Sequence, residues 1–159
     1  MIIERAKPED MDGINSLLRQ VLKVHHNGRP DLFRDNAKKY TDSELLSILQ
    51  DDSRPVFVAK DEKNRVLGYA FCVLTGRQGD NILNDMNTLY IDDLCVDENA
   101  RGQHIGKSLY EYVTEFAKAQ DCYNVTLNVW SCNPGAIKFY EKCGLKPQKI
   151  CMEKILNEN

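Results

Sequence analysis

Apolar positions along this chain switch between two periods. Ile14, Leu17, Leu18, Val21 and Leu22 recur three or four residues apart, which is the spacing of one helical face. Pro8 suits the first turn of that helix, and Glu9 and Asp10 suit its positive end. The pattern fades at His25-His26-Asn27-Gly28, and residues 28–41 read as irregular. Asp42 to Leu49 has the composition of a second short helix, with Thr41 or Asp42 as its cap. The period then changes to that of strands. Val56–Ala59 and Val66–Thr75, separated by a turn at 61–64, predict a hairpin. After a polar loop from Gly76 to Asp85, Met86–Val96 predicts another strand and His104–Ala119 a helix. Val125–Trp130 predicts a strand, Gly135–Cys143 a helix stopped by Gly144, and Leu145–Leu156 an extended tail; Ile2-Ile3 predicts a short first strand.

Early strands followed by a strand–helix–strand unit predict an α/β (α+β) fold, a mixed sheet with helices on its faces. The crossover makes the strand ending at Val96 parallel to the one starting at Val125. No repeat or linker interrupts the pattern, so residues 1–159 read as a single domain.

The formal charge is −3, too small to draw in nucleic acid or an anionic membrane. Glu4, Arg5 and Lys7 break up the amino-terminal apolar stretch, and no run is long enough to span a bilayer. The expectation is a cytoplasmic protein. The six cysteines form no C-x-x-C pair and no zinc spacing, and are expected to be free thiols, most of them small buried hydrophobes. No metal site is expected.

Leu94-Cys95-Val96-Asp97-Glu98-Asn99-Ala100-Arg101-Gly102-Gln103-His104-Ile105-Gly106-Lys107 carries the most chemistry. A strand ends, a polar turn holds two glycines, and an amphipathic helix begins. Helix starts leave amides without partners and carry positive potential, both suited to phosphate oxygens. Gly102 and Gly106 allow close approach, while Arg101 and Lys107 add charge. The stretch is neither a P-loop nor a dinucleotide fingerprint.

Arg101-Gly102-Gln103-His104-Ile105-Gly106 resembles the R/Q-x-x-G-x-G/A turn of the GNAT superfamily of acetyl-CoA-dependent N-acetyltransferases. Asn133-Pro134-Gly135-Ala136-Ile137-Lys138-Phe139-Tyr140-Glu141-Lys142-Cys143-Gly144-Leu145 is similar to the family's N-x-x-A-x-x-F/L-Y-x-x-x-G-F. Resemblance is dense over Ile91–Leu145 and loose before it. It implies a mixed, mostly antiparallel sheet with helices on both faces and two central parallel strands that splay apart. The pantetheine arm of acetyl-CoA would lie in that gap against Leu94, Cys95 and Val96. The pyrophosphate would rest on Arg101, Gly102, Gln103, His104, Ile105, Gly106 and Lys107. Asn133 would contact the cofactor arm and Tyr140 would protonate the departing thiolate. The acceptor is expected to be a primary amine of a small molecule or a protein, and homodimers are common among such proteins. Two departures stand out. His104 takes the place of the first family glycine. Asn128 stands where several amino-terminal acetyltransferases carry a basic glutamate, so the base lies elsewhere or the amine arrives deprotonated.

Amide formation from a thioester needs a neutral amine, a stabilised oxyanion and a protonated leaving thiol. Asp92 and Asp93 are candidates for the base or for amine binding. As neighbours on a strand they are expected on opposite faces, with Asp92 sharing the parity of Leu94 and Val96. A bulged strand end near Leu94 or Cys95 would free an amide for the oxyanion. Cys95 is a weak candidate for an acyl-cysteine route, since no activating histidine shares its motif. His26 and Phe33, in the loop after the first helix, are candidates for the acceptor side; a solvated loop is the other reading. Trp130 and Tyr123 are expected to be packing residues.

Overall fold

The computed structural model describes residues 1–157. The chain forms two compact units, Met1–Asn128 and Val129–Asn159. In the first, strand β1 (Ile2–Arg5) leads through a short 3-10 turn (Pro8–Asp10) into helix α1 (Met11–Gly28). Helix α2 (Asp42–Leu49) follows, then strands β2 (Val56–Lys60), β3 (Val66–Arg77) and β4 (Met86–Val96). A second 3-10 turn (Glu98–Ala100) precedes helix α3 (Ile105–Ala119), which crosses over to strand β5 (Asn124–Leu127).

The strands form one sheet in the order β1-β2-β3-β4-β5. The first three pairings are antiparallel and β4–β5 is parallel, as the crossover demands. Pairing of β4 with β5 joins Thr88–Ile91 to Asn124–Leu127 and ends there. From Asp92 onward, β3 is the one strand partner of β4 among the described residues. The parallel pairing thus ends partway along β4, at the place where the splay was expected. Strand β5 stops short of the expected Val125–Trp130, because Asn128 has already left the ladder.

Helices α1 and α2 cover one face of the sheet. Ile14, Leu17, Leu18, Leu45 and Ile48 pack there against Val56, Val58, Tyr69 and Phe71. Helix α3 covers the other face, where Leu109, Val113 and Ala117 meet Ala59, Leu67, Phe57, Ala70, Leu89 and Ile91. With both faces covered, every residue of β2 is buried, which explains its unbroken apolar run up to Ala59. Lys60 ends that run. It is 5% exposed and lies 2.7 Å from Asp10 and 2.9 Å from Glu4, joining β2, the first 3-10 turn and β1. Burial works against the Lys60 ammonium, but the hydrogen bonds it donates to Asp10 and Glu4 outweigh it and raise its pKa above the ordinary lysine value.

Thr41 caps α2: its hydroxyl accepts from Glu44 N, and the Glu44 carboxylate accepts from Thr41 N, a reciprocal capping box. Helix α1 runs through Gly28, the last residue of the stretch where its pattern was expected to fade, and Arg29 N closes it onto His25 O at 2.9 Å.

In the second unit, helix α4 (Pro134–Lys142) is capped by Asn133, whose Oδ1 accepts from Ala136 N at 3.2 Å. Gly144 ends it at φ +90, a conformation only glycine takes freely. The tail from Leu145 pairs in no strand ladder among the described residues.

No disulfide joins the six cysteines, and only Cys72 and Cys95 are buried. Cys122 packs at the rim of the core on the α3 face, Cys143 follows α4 half-buried, and Cys132 and Cys151 are exposed. Tyr123 is 76% exposed, so it is not the packing residue its type suggested. Tyr123 sits in the turn before β5, outside the span that α3 covers.

Candidate active site

The site is built around an irregularity in β4. Phe71 of β3 faces Asp93, yet Cys72 faces Ile91, so Asp92 is an extra residue with no opposite number. A bulge of this kind breaks the alternation of side chains. Ile91 before the bulge, and Leu94 and Val96 after it, all point to the α3 face. Asp92 and Asp93 therefore share the face of α1 and α2. Lys39 Nζ touches both, at 3.2 Å from Asp92 Oδ2 and 3.8 Å from Asp93 Oδ2. The expectation of carboxylates on opposite faces, with Asp92 in the parity of Leu94 and Val96, fails because simple alternation assumes an uninterrupted strand. The bulge itself lies at Asp92, earlier than the expected Leu94 or Cys95.

The two carboxylates differ in environment. The Asp92 side chain is 34% exposed and that of Asp93 only 10%. Tyr69 OH donates to Asp93 Oδ2 at 2.8 Å, and Tyr40 OH reaches Asp92 Oδ2 at 3.4 Å. Tyr40 stacks on Phe71, which meets Tyr69 edge-on, so aromatic rings fix both hydroxyls. Burial raises the Asp93 pKa above the ordinary aspartate value, against the opposing pull of Lys39 and the Tyr69 hydroxyl. Burial likewise raises the Tyr69 hydroxyl well above a normal tyrosine, with Asp93 adding to the effect. For Lys39, burial favours the neutral amine, but Asp93 and Asp92 outweigh it and keep the ammonium charged.

His26 and Phe33 come together in the loop after α1. The His26 ring donates from Nδ1 to the Phe33 carbonyl at 2.7 Å, since a carbonyl can only accept. The neighbouring His25 ring stacks on Phe33, with centroids 5.0 Å apart. Burial lowers the His25 pKa below the ordinary histidine value, while the Asp93 charge opposes it. This loop is therefore tied down, and His25 lies within electrostatic reach of the bulge.

At the far end of β4 the chain turns on a last hydrogen bond to β3. Asp97 N donates to Leu67 O at 2.8 Å, and the Asp97 carboxylate accepts from Asn99 N at 2.9 Å. Gly102 follows at φ +81, with open space where a Cβ would project. His104 caps α3 from the left-handed region, at φ +59. Ser108 N closes the first helical bond onto His104 O at 3.0 Å, so the amides of Ile105, Gly106 and Lys107 have no acceptor within the helix. Ile105 is buried beneath the turn, whereas Arg101, Gln103 and His104 are exposed.

Leu94 and Val96 face α3, while the Cys95 thiol points to Leu17 O at 3.8 Å on the opposite face. Burial, with Asp93 adding, pushes the Cys95 pKa up to about 12. A thiol so firmly protonated is no nucleophile. Asn128 Nδ2 donates to Tyr90 OH at 3.2 Å. In the second unit, Asn133 spends its Oδ1 on capping α4, and Tyr140 packs edge-on against Phe139 on that helix.

Residues 20–145 match the model of the acetyltransferase (GNAT) family. The chain belongs to the GNAT family. A mutant form of the BH1408 protein from Bacillus halodurans shares its fold with a TM-score of 0.95 and 32% identity, over 99% of this chain and 100% of that one. A peptidyl-lysine N-acetyltransferase, YjaB, of Salmonella typhimurium is 28% identical over 91% of this chain and 82% of its own length. A glucosamine 6-phosphate N-acetyltransferase of Arabidopsis thaliana is 37% identical, but only over 41% of this chain and 42% of the relative. The chain thus matches less than half the length of that plant relative.

GNAT proteins use acetyl-CoA, and the turn at 101–107 fits its pyrophosphate: three unclaimed amides and an open face at Gly102. The positive φ at His104 accounts for the glycine usual at this position of the GNAT turn. Histidine takes the same left-handed conformation at a cost of about 1–2 kcal/mol. Sequence reasoning missed Lys39, Tyr40 and Tyr69. Tyr69 did leave a signal, a hydroxyl in the middle of the apolar run Val66–Phe71 that had to find a buried partner. Lys39 and Tyr40 sit in an irregular segment and left none.

Proposed function

We propose that this chain transfers acetyl from acetyl-CoA to a primary amine by direct attack, within one acetyltransferase domain over residues 1–159. The family match at 20–145, which runs on past Asn128, supports the single-domain reading. The observation that carries the activity is the pair of carboxylates brought to one side by the bulge, with a primary amine held against them.

In this reading the pyrophosphate rests on Gly102 and the amides of Ile105, Gly106 and Lys107, with Arg101 and Lys107 adding charge. Gln103 and His104 complete the turn. The thioester arm runs back along Val96, Cys95 and Leu94, which brings its reactive end toward Asp93 and Asp92. Asp92, the more exposed carboxylate, anchors the incoming ammonium. Asp93, whose pKa is raised by burial, takes the proton that must leave before attack. A β4 amide next to the bulge serves the oxyanion. Tyr140 returns a proton to the leaving sulfur, and Asn133 steadies the cofactor arm; both roles rest on the match to the family motif. His26 and Phe33 line the acceptor side. A cytoplasmic location and a homodimer complete the proposal; neither is needed for the chemistry.

Isothermal titration with acetyl-CoA, followed by thiol release on a panel of amines, tests the reading. The expected result is binding, and CoA release that falls about 10²- to 10⁴-fold in Tyr140→Phe with acetyl-CoA affinity unchanged. No binding of acetyl-CoA would overturn it.

A further inference from the structure

We propose that Lys39 is a built-in acceptor: its amine occupies the subsite of the substrate amine, and the protein acetylates it from acetyl-CoA in cis. This rests on the acetyltransferase reading above. It adds a modification site and narrows the acceptor to an alkylamine of the lysine type.

Several observations converge on Lys39. Its ammonium lies within 4 Å of both carboxylates at the bulge, so a primary amine already fills the place an acceptor would take. The Tyr40 ring stands 5.3 Å from Nζ, a cation–π contact that an alkylammonium can make and a neutral sugar hydroxyl cannot. Lys39 sits in a segment between Gly28 and Asp42 that contains no helix or strand. Its side chain is 37% exposed, so the amine can swing out and yield the site to another amine. Beside the bulge, β4 has lost β5 as a partner, which is where a thioester arm leaving Leu94 would end. The salt bridges at Lys38 and Lys60 involve no carboxylate of β4, so Lys39 is the lysine the fold directs to this point.

The reaction balances with acetyl-CoA as the sole co-reactant. The Lys39 ammonium passes a proton to the Asp93 carboxylate. The freed lone pair on Nζ attacks the thioester carbonyl carbon, forming the N–C bond as the C–S bond breaks. The nitrogen gives up its second proton, and the sulfur leaves with the bonding pair and takes up that proton, while the first passes from Asp93 to solvent. One lysine and one acetyl-CoA give one acetyl-lysine and one CoA. The product has lost the charge that held it to Asp92 and Asp93, so the acetylated side chain no longer competes as a cation for the subsite.

The test uses the full chain incubated with acetyl-CoA and no other amine, read by intact mass and peptide mapping. The expected result is one acetyl group per chain, on Lys39, at a rate independent of protein concentration. Adding a lysine-containing peptide should slow this self-modification several-fold. Lys39→Arg keeps a cation against the carboxylates and should gain no acetyl group. Lys39→Ala should show a several-fold lower KM for the peptide amine. Acetylation spread evenly over exposed lysines such as Lys38 and Lys63 would overturn the proposal. So would an unmodified Lys39 in a chain that still binds acetyl-CoA and releases CoA with an added amine. A chain that does not bind acetyl-CoA at all would overturn the function reading along with it.

Discussion

The turn at 101–107 and the bulge at Asp92 lie on one short stretch of chain, yet they are made of different materials. The turn is backbone: Gly102 at φ +81, His104 at φ +59 and three amides that open α3. Its shape comes from residues adjacent in sequence. The bulge is a meeting of side chains from distant segments, with Lys39 and Tyr40 before α2, Tyr69 on β3 and the aspartates on β4. A backbone site of this kind tolerates most side-chain changes and fails through dihedral strain. A side-chain site fails when one partner is removed, because the remaining groups are left buried and unpaired.

Asp93→Asn tests this contrast most severely. It should lower kcat by roughly 10²- to 10⁴-fold, the range for losing a general base, while acetyl-CoA affinity stays level. The pH profile should change with it. Asp93 must be ionised to accept a proton, and its pKa is raised, so wild-type activity should climb with pH through a limb above the ordinary carboxylate range near 3.9. That limb should vanish in the variant. If it persists, the base is another group. Gly102→Val addresses the other side and is expected to be milder. Forcing a branched residue into the left-handed region costs about 1–2 kcal/mol, so acetyl-CoA should bind roughly tenfold more weakly by calorimetry, with kcat at saturation little changed. A loss of kcat instead would mean that the turn and the bulge are mechanically one device. The smallest effect is expected from His104→Gly. Relief of the positive φ should stabilise the fold by up to about 1 kcal/mol in thermal melts. Acetyl-CoA binding should be unaltered, because the amides and not the imidazole make the site.

The same contrast explains what could be read in advance. Met86–Val96, the turn and α3 were legible because glycine positions and helix starts carry local signatures. The Thr41 cap and the parallel crossover were legible for the same reason. The shared face of Asp92 and Asp93 was not, since nothing in a run of alternating residues marks where one extra residue is inserted. Lys39 and Tyr40 were hidden by distance in sequence, and only the fold brings them to β4. The end of β5 was misplaced because Asn128 and Val129 keep the apolar–polar alternation after the ladder has ended at Leu127. An apolar pattern reports what a strand could bury, not whether a partner strand is still beside it.

The buried Lys60 carries a consequence for handling the protein at alkaline pH. Its pKa is raised in the folded state, so its contribution to stability is full below about 10.4, the value of a free lysine. That contribution is lost as pH rises through the higher folded value. Once neutral, Lys60 no longer clasps Glu4 and Asp10, and β1 is left with its backbone ladder, the packing of Ile3 and the Arg5 contacts to Asp51 and Asp52. Behind β1 lies Val56-Phe57-Val58-Ala59, an apolar row with every hydrogen-bonding group of its outer edge exposed once β1 peels away. A single ammonium thus guards the molecule against strand-to-strand clumping, and strong base should bring turbidity before it brings unfolding.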